Sequence, residues 1–184
     1  DALPGGLSRA LTAIETSDAI SEQLDAISGR EDQPDYFTQE FNVKKDEPLP
    51  VLDVAPEITG ITNWLNSEPL TLAELRGKVI MVDFWTYSSI NCVRTLPYIT
   101  DWHDKYADDG LVIIGVHTPE FEFEKDTKNV ADALERFGIE YPVAQDNDYK
   151  TWRAYNNRYW PAKYIIDADG NLRYFHFGEG DYEE

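Results

Sequence analysis

Sulfur, histidine and positive charge are all scarce in this chain of 184 residues. It has one cysteine, one methionine and three histidines, and its 16 basic residues face 35 acidic ones, for a net charge of −19. The single cysteine, Cys92, excludes an internal disulfide, and taken alone it predicts a reducing compartment or a chain that makes no use of sulfur. The net charge repels phosphate backbones, so nucleic acid is not an expected partner.

Long apolar runs and a leader sequence are missing as well. No stretch reaches the ~18 apolar residues of a membrane span, so we expect no direct membrane insertion by this fragment. The first residues, 1–4, lack the basic start and apolar stretch of a signal peptide, and we expect any such part of the natural protein to have been removed. The acidic surplus has two open interpretations, which are solubility and attraction of a basic partner.

Residues 1–50 differ from the rest of the chain and are predicted to be an acidic, partly helical extension. They hold 11 acidic and 4 basic residues, and Gly29 is a plausible helix stop. Their apolar residues fall at three- and four-residue spacing, which predicts one or two short amphipathic helices: Leu7, Leu11, Ile14, Ile20, Leu24 and Ile27. We expect the apolar stripe to pack on the main domain or a neighbour, with a mobile linker as the alternative.

Residues 51–184 alternate between strand-like and helix-like patterns, which predicts one α/β domain. The run Val79–Trp85 is apolar except for Asp83, as expected of a central strand buried on both faces, and Leu111–Val116 should be its parallel neighbour. The other predicted elements are a strand or hairpin at 58–65, a capping-box helix start at 71–74, helices at 90–106, 128–137 and 149–155, a short strand at 141–144, and a hairpin of strands 162–167 and 171–177.

The segment Ser89-Ile90-Asn91-Cys92 has the layout of a thiol–disulfide site with one sulfur missing. A sharp turn between a strand and a helix N-terminus is where a low-pKa thiol is usually built, because free N–H groups and the helix dipole favour a negative sulfur. A thiol at position 89 would lie in the exposed first turn, whereas Cys92 would face the sheet. Ser89 carries a hydroxyl, whose pKa is far above the ~8.5 of a thiol, so it cannot act as that nucleophile.

Four positions of the chain together resemble the thioredoxin superfamily. Asp83 lies six residues before position 89, Pro97 lies five after Cys92, and Trp160-Pro161 precedes a strand where these proteins place a cis-proline. A closer resemblance, from about residue 55 onward, is to the extracytoplasmic thioredoxin-like domain of DipZ and CcdA-type membrane electron carriers, related to the TlpA-like reductases. The segments that carry it are 85–88, 115–120, 158–162 and 177–182. Members usually have Cys-Ile-Asn-Cys at 89–92 and a last helix after the point where this chain stops.

The resemblance implies a central mixed β-sheet flanked by helices and a role for each site residue. Position 89 would attack a partner disulfide, Cys92 would resolve the mixed disulfide, and Asp83 would take the Cys92 proton. Pro161 would expose backbone for a substrate peptide, and Glu120 would approach the site. The expected substrate-contacting residues are Trp85, Tyr87, Ile90, Asn91, Trp160 and Pro161. Each role has a structural alternative: a satisfied buried carboxylate for Asp83, a loop proline for Pro161, a solvated carboxylate for Glu120, and core packing for the aromatic residues.

The resemblance implies a thiol:disulfide oxidoreductase domain that works outside the cytoplasm, in the reducing direction. We interpret Ser89 as an engineered Cys-to-Ser change that leaves this chain inactive. The resemblance implies no cofactor beyond the dithiol, protein disulfides as substrates, and a membrane electron donor of the CcdA or DipZ type. The alternative is a redox-silent module that binds peptides. A metal site is disfavoured because His103, His117 and His176 lie on different elements, and Ser89 lacks the Gly-x-Ser-x-Gly context of a hydrolase.

Overall fold

The computed structural model describes residues 47–180 and Tyr182. The amphipathic helices predicted between Leu7 and Ile27 lie outside the described residues, so they stay predictions. In the part of the chain that is described, no helix is both long and apolar enough to span a bilayer.

A seven-stranded mixed sheet organises the domain, with strand order β1-β7-β6-β3-β4-β5-β2. Its strands are β1 (Asp53–Val54), β2 (Asn63–Leu65), β3 (Val79–Trp85), β4 (Leu111–His117), β5 (Val143–Gln145), β6 (Ala162–Ile166) and β7 (Asn171–Phe177). β3 is the middle strand, parallel to β4 and antiparallel to β6. β6 and β7 form the predicted antiparallel hairpin.

The central strand β3 is buried on both faces, as its apolar sequence predicts. Met81 and Trp85 point to one face, where they pack with apolar residues of the helices α1 (Ile90–Tyr106) and α2 (Thr127–Phe137). Phe84 points to the other face, where its ring meets Trp152 of the short helix α3 (Lys150–Ala154) at 5.8 Å. Side chains alternate along a strand, so helices on both faces of the sheet follow directly from this run.

Helix α1 follows β3 and has the bounds that the sequence predicts. Cys92, Leu96 and Ile99 are buried at helical spacing against the sheet. Ser89 is the N-cap, and its hydroxyl accepts a hydrogen bond from the Cys92 N–H at 3.4 Å. Pro97 lies inside the helix on its exposed side, where its missing N–H leaves the helix ladder one bond short.

Two elements predicted before β3 differ in the structure. The capping-box contacts between Thr71 and Glu74 form, yet residues 72–77 make turns rather than a helix. Gly77, at a φ of 90°, leads into β3 after a single turn, which is too short to repay helix nucleation. Within 58–65 the strand is limited to β2, because the Thr59 N–H donates to the Thr151 hydroxyl of α3 at 2.9 Å instead of to a neighbouring strand.

The chain enters the sheet along its β1 edge. The Arg173 side chain on β7 donates from Nε to the carbonyls of Leu49 and Pro50, at 3.0 Å each. Its guanidinium also pairs with Asp167 at 2.8 Å. The sequence prediction placed residues 49–50 in the N-terminal extension. In the structure they are hydrogen-bonded to the main domain through Arg173.

Candidate functional site

The turn after β3 places position 89 where the sequence predicts it. Thr86 ends the strand in a fully buried position, and its carbonyl accepts from the Ser89 N–H at 3.3 Å. Ser89 is half-buried, while Ile90 and Asn91 are exposed at the start of α1. We call residues 86–92 the thiol turn. Its geometry would present a side chain at position 89 to solvent and to the N-terminal N–H groups of a helix.

Cys92 lies inside the turn and is 0% exposed. Burial raises the pKa of its thiol to about 11, although hydrogen bonds from Ser89 and Thr86 act in the opposite direction. At neutral pH the thiol therefore holds its proton and is shielded from solvent. Such a sulfur needs a nearby base before it can attack another sulfur.

Asp83 supplies a carboxylate beneath Cys92, and Lys163 of β6 faces it. The two residues are paired in the β3–β6 register, and Lys163 Nζ lies 3.3 Å from Asp83 Oδ1 with both side chains nearly inaccessible. Burial raises the pKa of Asp83, while Lys163 opposes that shift. Among the described residues neither carboxylate oxygen of Asp83 has a hydrogen bond of good geometry. The ammonium group of Lys163 is therefore what compensates the negative charge of the Asp83 carboxylate.

The Trp160-Pro161 bond is cis, as predicted. Pro161 precedes Ala162, the residue paired with Phe84, and so lies at the same end of the sheet as the thiol turn. Trp160 is half-buried, and its indole N–H donates to the Thr118 carbonyl at 2.9 Å, which fixes the loop to the end of β4.

A second buried carboxylate, that of Glu124, flanks the other side of the turn. It belongs to the short 3-10 helix Glu122–Lys125 and is 0% exposed. Its Oε1 accepts from the Ser88 hydroxyl, and its Oε2 accepts from the N–H groups of Glu120 at 2.6 Å and Phe121 at 2.9 Å. Burial alone would raise the pKa of Glu124, but these donors outweigh it and lower the pKa. Glu124 is therefore a fixed anion that ties the thiol turn to the loop after β4.

His117, at the end of β4, fills the space between these groups. The Tyr87 ring stacks on it at 5.5 Å and 16°, and Trp85 meets it edge-on at 5.2 Å. Its Nε2 lies 3.4 Å from the Thr86 hydroxyl and from the Tyr87 N–H. Burial lowers the pKa of His117 to about 4, so the ring is neutral at physiological pH. Within the described residues, no set of three His, Cys, Asp or Glu side chains is grouped to hold a metal ion.

Two predicted site residues lie differently from expectation. The side chain of Glu120 is exposed, and its backbone N–H is the group that meets Glu124. Trp85 is 0% exposed and packs with Cys92 in the core, so it supports the turn from below and does not line a surface open to substrate. Close packing beneath it requires Gly115 of β4, since a Cβ there would lie 3.0 Å from the Trp85 indole nitrogen.

Sequence reasoning missed Lys163, Glu124 and His117 as parts of the site. A lysine inside the apolar strand 162–166, at a position that alternation turns inward, was a usable signal. Nothing in the sequence separates Glu124 from Glu120 and Glu122, because the three alternate with Phe121 and Phe123.

Comparison with known proteins gives a consistent family. Residues 51–175 match the model of the AhpC/TSA family. Over 131 residues the chain is 55% identical to the protein DipZ of Mycobacterium tuberculosis, an alignment that covers 70% of this chain and 19% of DipZ. The chain thus spans about a fifth of that relative. It is also 35% identical over 124 residues to the thiol-disulfide oxidoreductase YkuV of Bacillus subtilis, covering 67% of this chain and 82% of YkuV.

A solved structure agrees with the fold. The crystal structure of the thioredoxin-like superfamily protein SPOA0173 matches with a TM-score of 0.65 and 31% identity, covering 70% of this chain and 88% of that one. The predicted thioredoxin-like fold and the resemblance to DipZ are confirmed.

Proposed function

Because this chain belongs to the AhpC/TSA family and is a thioredoxin-like domain of the thiol–disulfide oxidoreductase class, we propose that position 89 is its nucleophile position and that Ser89 arrests it before the first step. The observation that carries the proposal is the buried Asp83–Lys163 pair beneath a buried Cys92, three residues after Ser89 in the thiol turn. A protein that had no thiol to deprotonate would gain little from an acid kept there at the cost of desolvation.

In the Cys-containing parent form the reaction has two steps. A thiolate at position 89 attacks one sulfur of a substrate disulfide, that disulfide breaks, and one substrate thiolate leaves and takes a proton from water. Cys92 then passes its proton to Asp83 and attacks the sulfur at position 89, which releases the second substrate thiolate. The substrate gains two electrons, and the protein dithiol becomes a disulfide between positions 89 and 92. In the present chain the Ser89 hydroxyl blocks the first step.

We further propose that the domain works outside the cytoplasm in the reducing direction, with electrons supplied by a membrane donor of the CcdA or DipZ type. The support for this part is the 55% identity to DipZ. A protein carrying both Ser89→Cys and Cys92→Ser should trap a mixed disulfide with the oxidised, disulfide form of such a donor. The thiolate at position 89 attacks the donor disulfide and releases one donor thiolate, and no thiol at position 92 is left to resolve the bond. Failure to trap a purified donor domain would contradict this partner.

A disulfide-reduction assay on three forms tests the proposal. The chain itself should not turn over, whereas Ser89→Cys should. Ser88→Cys is the matched control, since it places a thiol one residue earlier on the same turn but breaks the Cys-x-x-Cys spacing, and it should not cycle. A reduction potential of the Ser89→Cys pair well below about −200 mV, from a dithiothreitol titration, would support reduction over oxidation.

A redox-silent peptide-binding module is the second candidate. The observation in its favour is that the serine fits its position: Ser89 caps α1 and leaves the cis Trp160-Pro161 loop in place. If Ser89→Cys is as inactive as the chain itself, this candidate becomes the better account.

A further inference from the structure

A stacked pair of phenylalanines stands exposed beside the thiol turn. Phe121 and Phe123 are 50% and 55% exposed, and their rings lie 5.5 Å apart at an interplanar angle of 7°. Tyr87 of the thiol turn continues the row, with its ring 6.3 Å from that of Phe123. We call Tyr87, Phe121 and Phe123 the aromatic ridge. It begins two residues from position 89 and is therefore continuous with the site.

The backbone of the ridge is held rigidly. The carbonyl of Phe123 accepts from the Tyr87 hydroxyl at 3.2 Å and from Asn129 Nδ2 at 3.0 Å. The Phe121 N–H donates to the buried carboxylate of Glu124. Aromatic side chains on a fixed backbone lose little conformational entropy when they are covered, and such residues serve as anchors in protein interfaces.

Charge around the ridge selects the kind of segment that could cover it. Residues 117–126 hold four acidic residues, Glu120, Glu122, Glu124 and Asp126, against one basic residue, Lys125. Lys125 is already paired with Glu122 at 2.7 Å. A basic segment is attracted to this surface, whereas an acidic segment is repelled by it.

We propose that the aromatic ridge docks a polypeptide segment of the substrate in which apolar and basic residues flank the disulfide. The proposal rests on the proposed function, because it names the substrate class of that site. The apolar side chains would cover the phenylalanine rings, and the basic ones would meet Glu120 and Glu122, which holds the disulfide sulfur over position 89.

Binding to the full chain with Ser89 in place tests the ridge without any chemistry. Two labelled peptide disulfides are compared by fluorescence anisotropy, one with lysines and leucines around its cysteines and one with glutamates replacing the lysines. The basic peptide should bind at least about tenfold more tightly. The double variant Phe121→Ser, Phe123→Ser should weaken basic-peptide binding by about tenfold or more. Tyr106→Ser is the matched control, since Tyr106 is 49% exposed at the far end of α1 and should not change either affinity.

Reduction by the Ser89→Cys form supplies the second measurement. Its rate on the basic peptide, divided by its rate on the small uncharged hydroxyethyl disulfide, should fall about tenfold when both phenylalanines are replaced. Equal affinity for the two peptides, or unchanged affinity in the double variant, would overturn the proposal. Reduction of both peptides at the same rate would overturn it as well, because the ridge would then not select the substrate. If Ser89→Cys reduces nothing, the proposed function fails, and the anisotropy ratio still decides the role of the ridge.

Discussion

Two carboxylates are equally buried beside the thiol turn, and their surroundings are opposite. Asp83 and Glu124 are both 0% exposed. Asp83 faces one ammonium group at 3.3 Å, whereas Glu124 accepts from a hydroxyl and two backbone N–H groups. The pKa of Asp83 is raised by burial, while that of Glu124 is lowered in spite of it.

The contrast shows that hydrogen-bond donors can reverse the effect of burial on the pKa of an acid. A carboxylate with several hydrogen-bond donors keeps its charge and fixes the groups around it. A carboxylate that faces one cation and has few hydrogen-bond donors binds a proton more readily, because its charged form is less well compensated. Asp83 therefore suits proton transfer with Cys92, and Glu124 suits the positioning of the turn.

The largest expected effect comes from removing the proton acceptor. In the Ser89→Cys background, Asp83→Asn should slow the resolution of a mixed disulfide by ~10²- to 10⁴-fold, because an amide cannot take the Cys92 proton. Rapid quenching followed by mass spectrometry measures the decay of the mixed disulfide. Asp104→Asn, an exposed change on α1, is the control. Equal decay in both variants would show that Asp83 is structural.

His117 provides a test through the pH dependence of stability. Its folded pKa of about 4 lies below the ordinary 6.5, so the unfolded chain binds its proton first, and stability is lost as pH falls through this window. The loss amounts to about 3 kcal/mol by pH 4. Asp146 acts in the opposite direction, since burial raises its pKa to about 6 and its contribution grows as pH falls.

His117→Gln removes the loss of stability that His117 causes as pH falls. The opposite contribution of Asp146 stays in place. Relative to the unsubstituted chain, the variant should gain about 3 kcal/mol in free energy of unfolding between pH 7 and pH 4. Urea unfolding at a series of pH values measures this difference. Parallel curves for the two proteins would contradict a buried neutral histidine.

Glu124→Gln should cost about 2 kcal/mol at pH 7, because an amide presents one acceptor oxygen to three donors. The lowered pKa of Glu124 means that its stabilisation is present above the ordinary value of 4.5 and is lost as pH falls through the folded pKa. The cost should therefore shrink in acid. Glu122→Gln, on an exposed neighbour, should stay within about 0.5 kcal/mol, and an equal cost for both would refute the fixed-anion role.

The smallest effect is expected at Lys163. In the Ser89→Cys background, Lys163→Met removes the cation that opposes the raised pKa of Asp83, so the acidic limb of the resolution rate should move to higher pH. On that limb the resolution rate should fall by less than about tenfold. Lys163→Arg should recover part of it. An unchanged pH profile in the methionine variant would mean that the pair is structural.

The sequence predicted the elements that long periodic patterns define. The apolar run of β3 and the helix from Ile90 to Tyr106 were recoverable because burial on both faces and helical spacing leave strong signals. The structure of the segment before β3 could not be predicted in the same way, because Thr59 is held by Thr151 of α3, which lies 92 residues later in the sequence. Local capping contacts at Thr71 formed without a helix because the chain enters β3 after a single turn at Gly77.

The site residues that lie close together in the sequence were predictable from their spacing. Those brought to the site by tertiary structure were harder to predict. Ser89, Cys92 and Asp83 follow from their distances along one strand and turn. Lys163 reaches Asp83 through the pairing of two strands 80 residues apart, which no local pattern reports. Glu124 is buried by the geometry of one turn, whereas Glu120 and Glu122, in the same alternating pattern, remain exposed.

The attachment of Leu49 and Pro50 to Arg173 has a mechanical consequence. β1 pairs antiparallel with the first residues of β7, at the end of the sheet opposite the thiol turn. A pull on residues 49–50 loads Arg173, its partner Asp167 and a two-residue edge strand. Because β7 and β6 lie between β1 and β3 in the sheet, these contacts can be lost without breaking any strand pairing of β3.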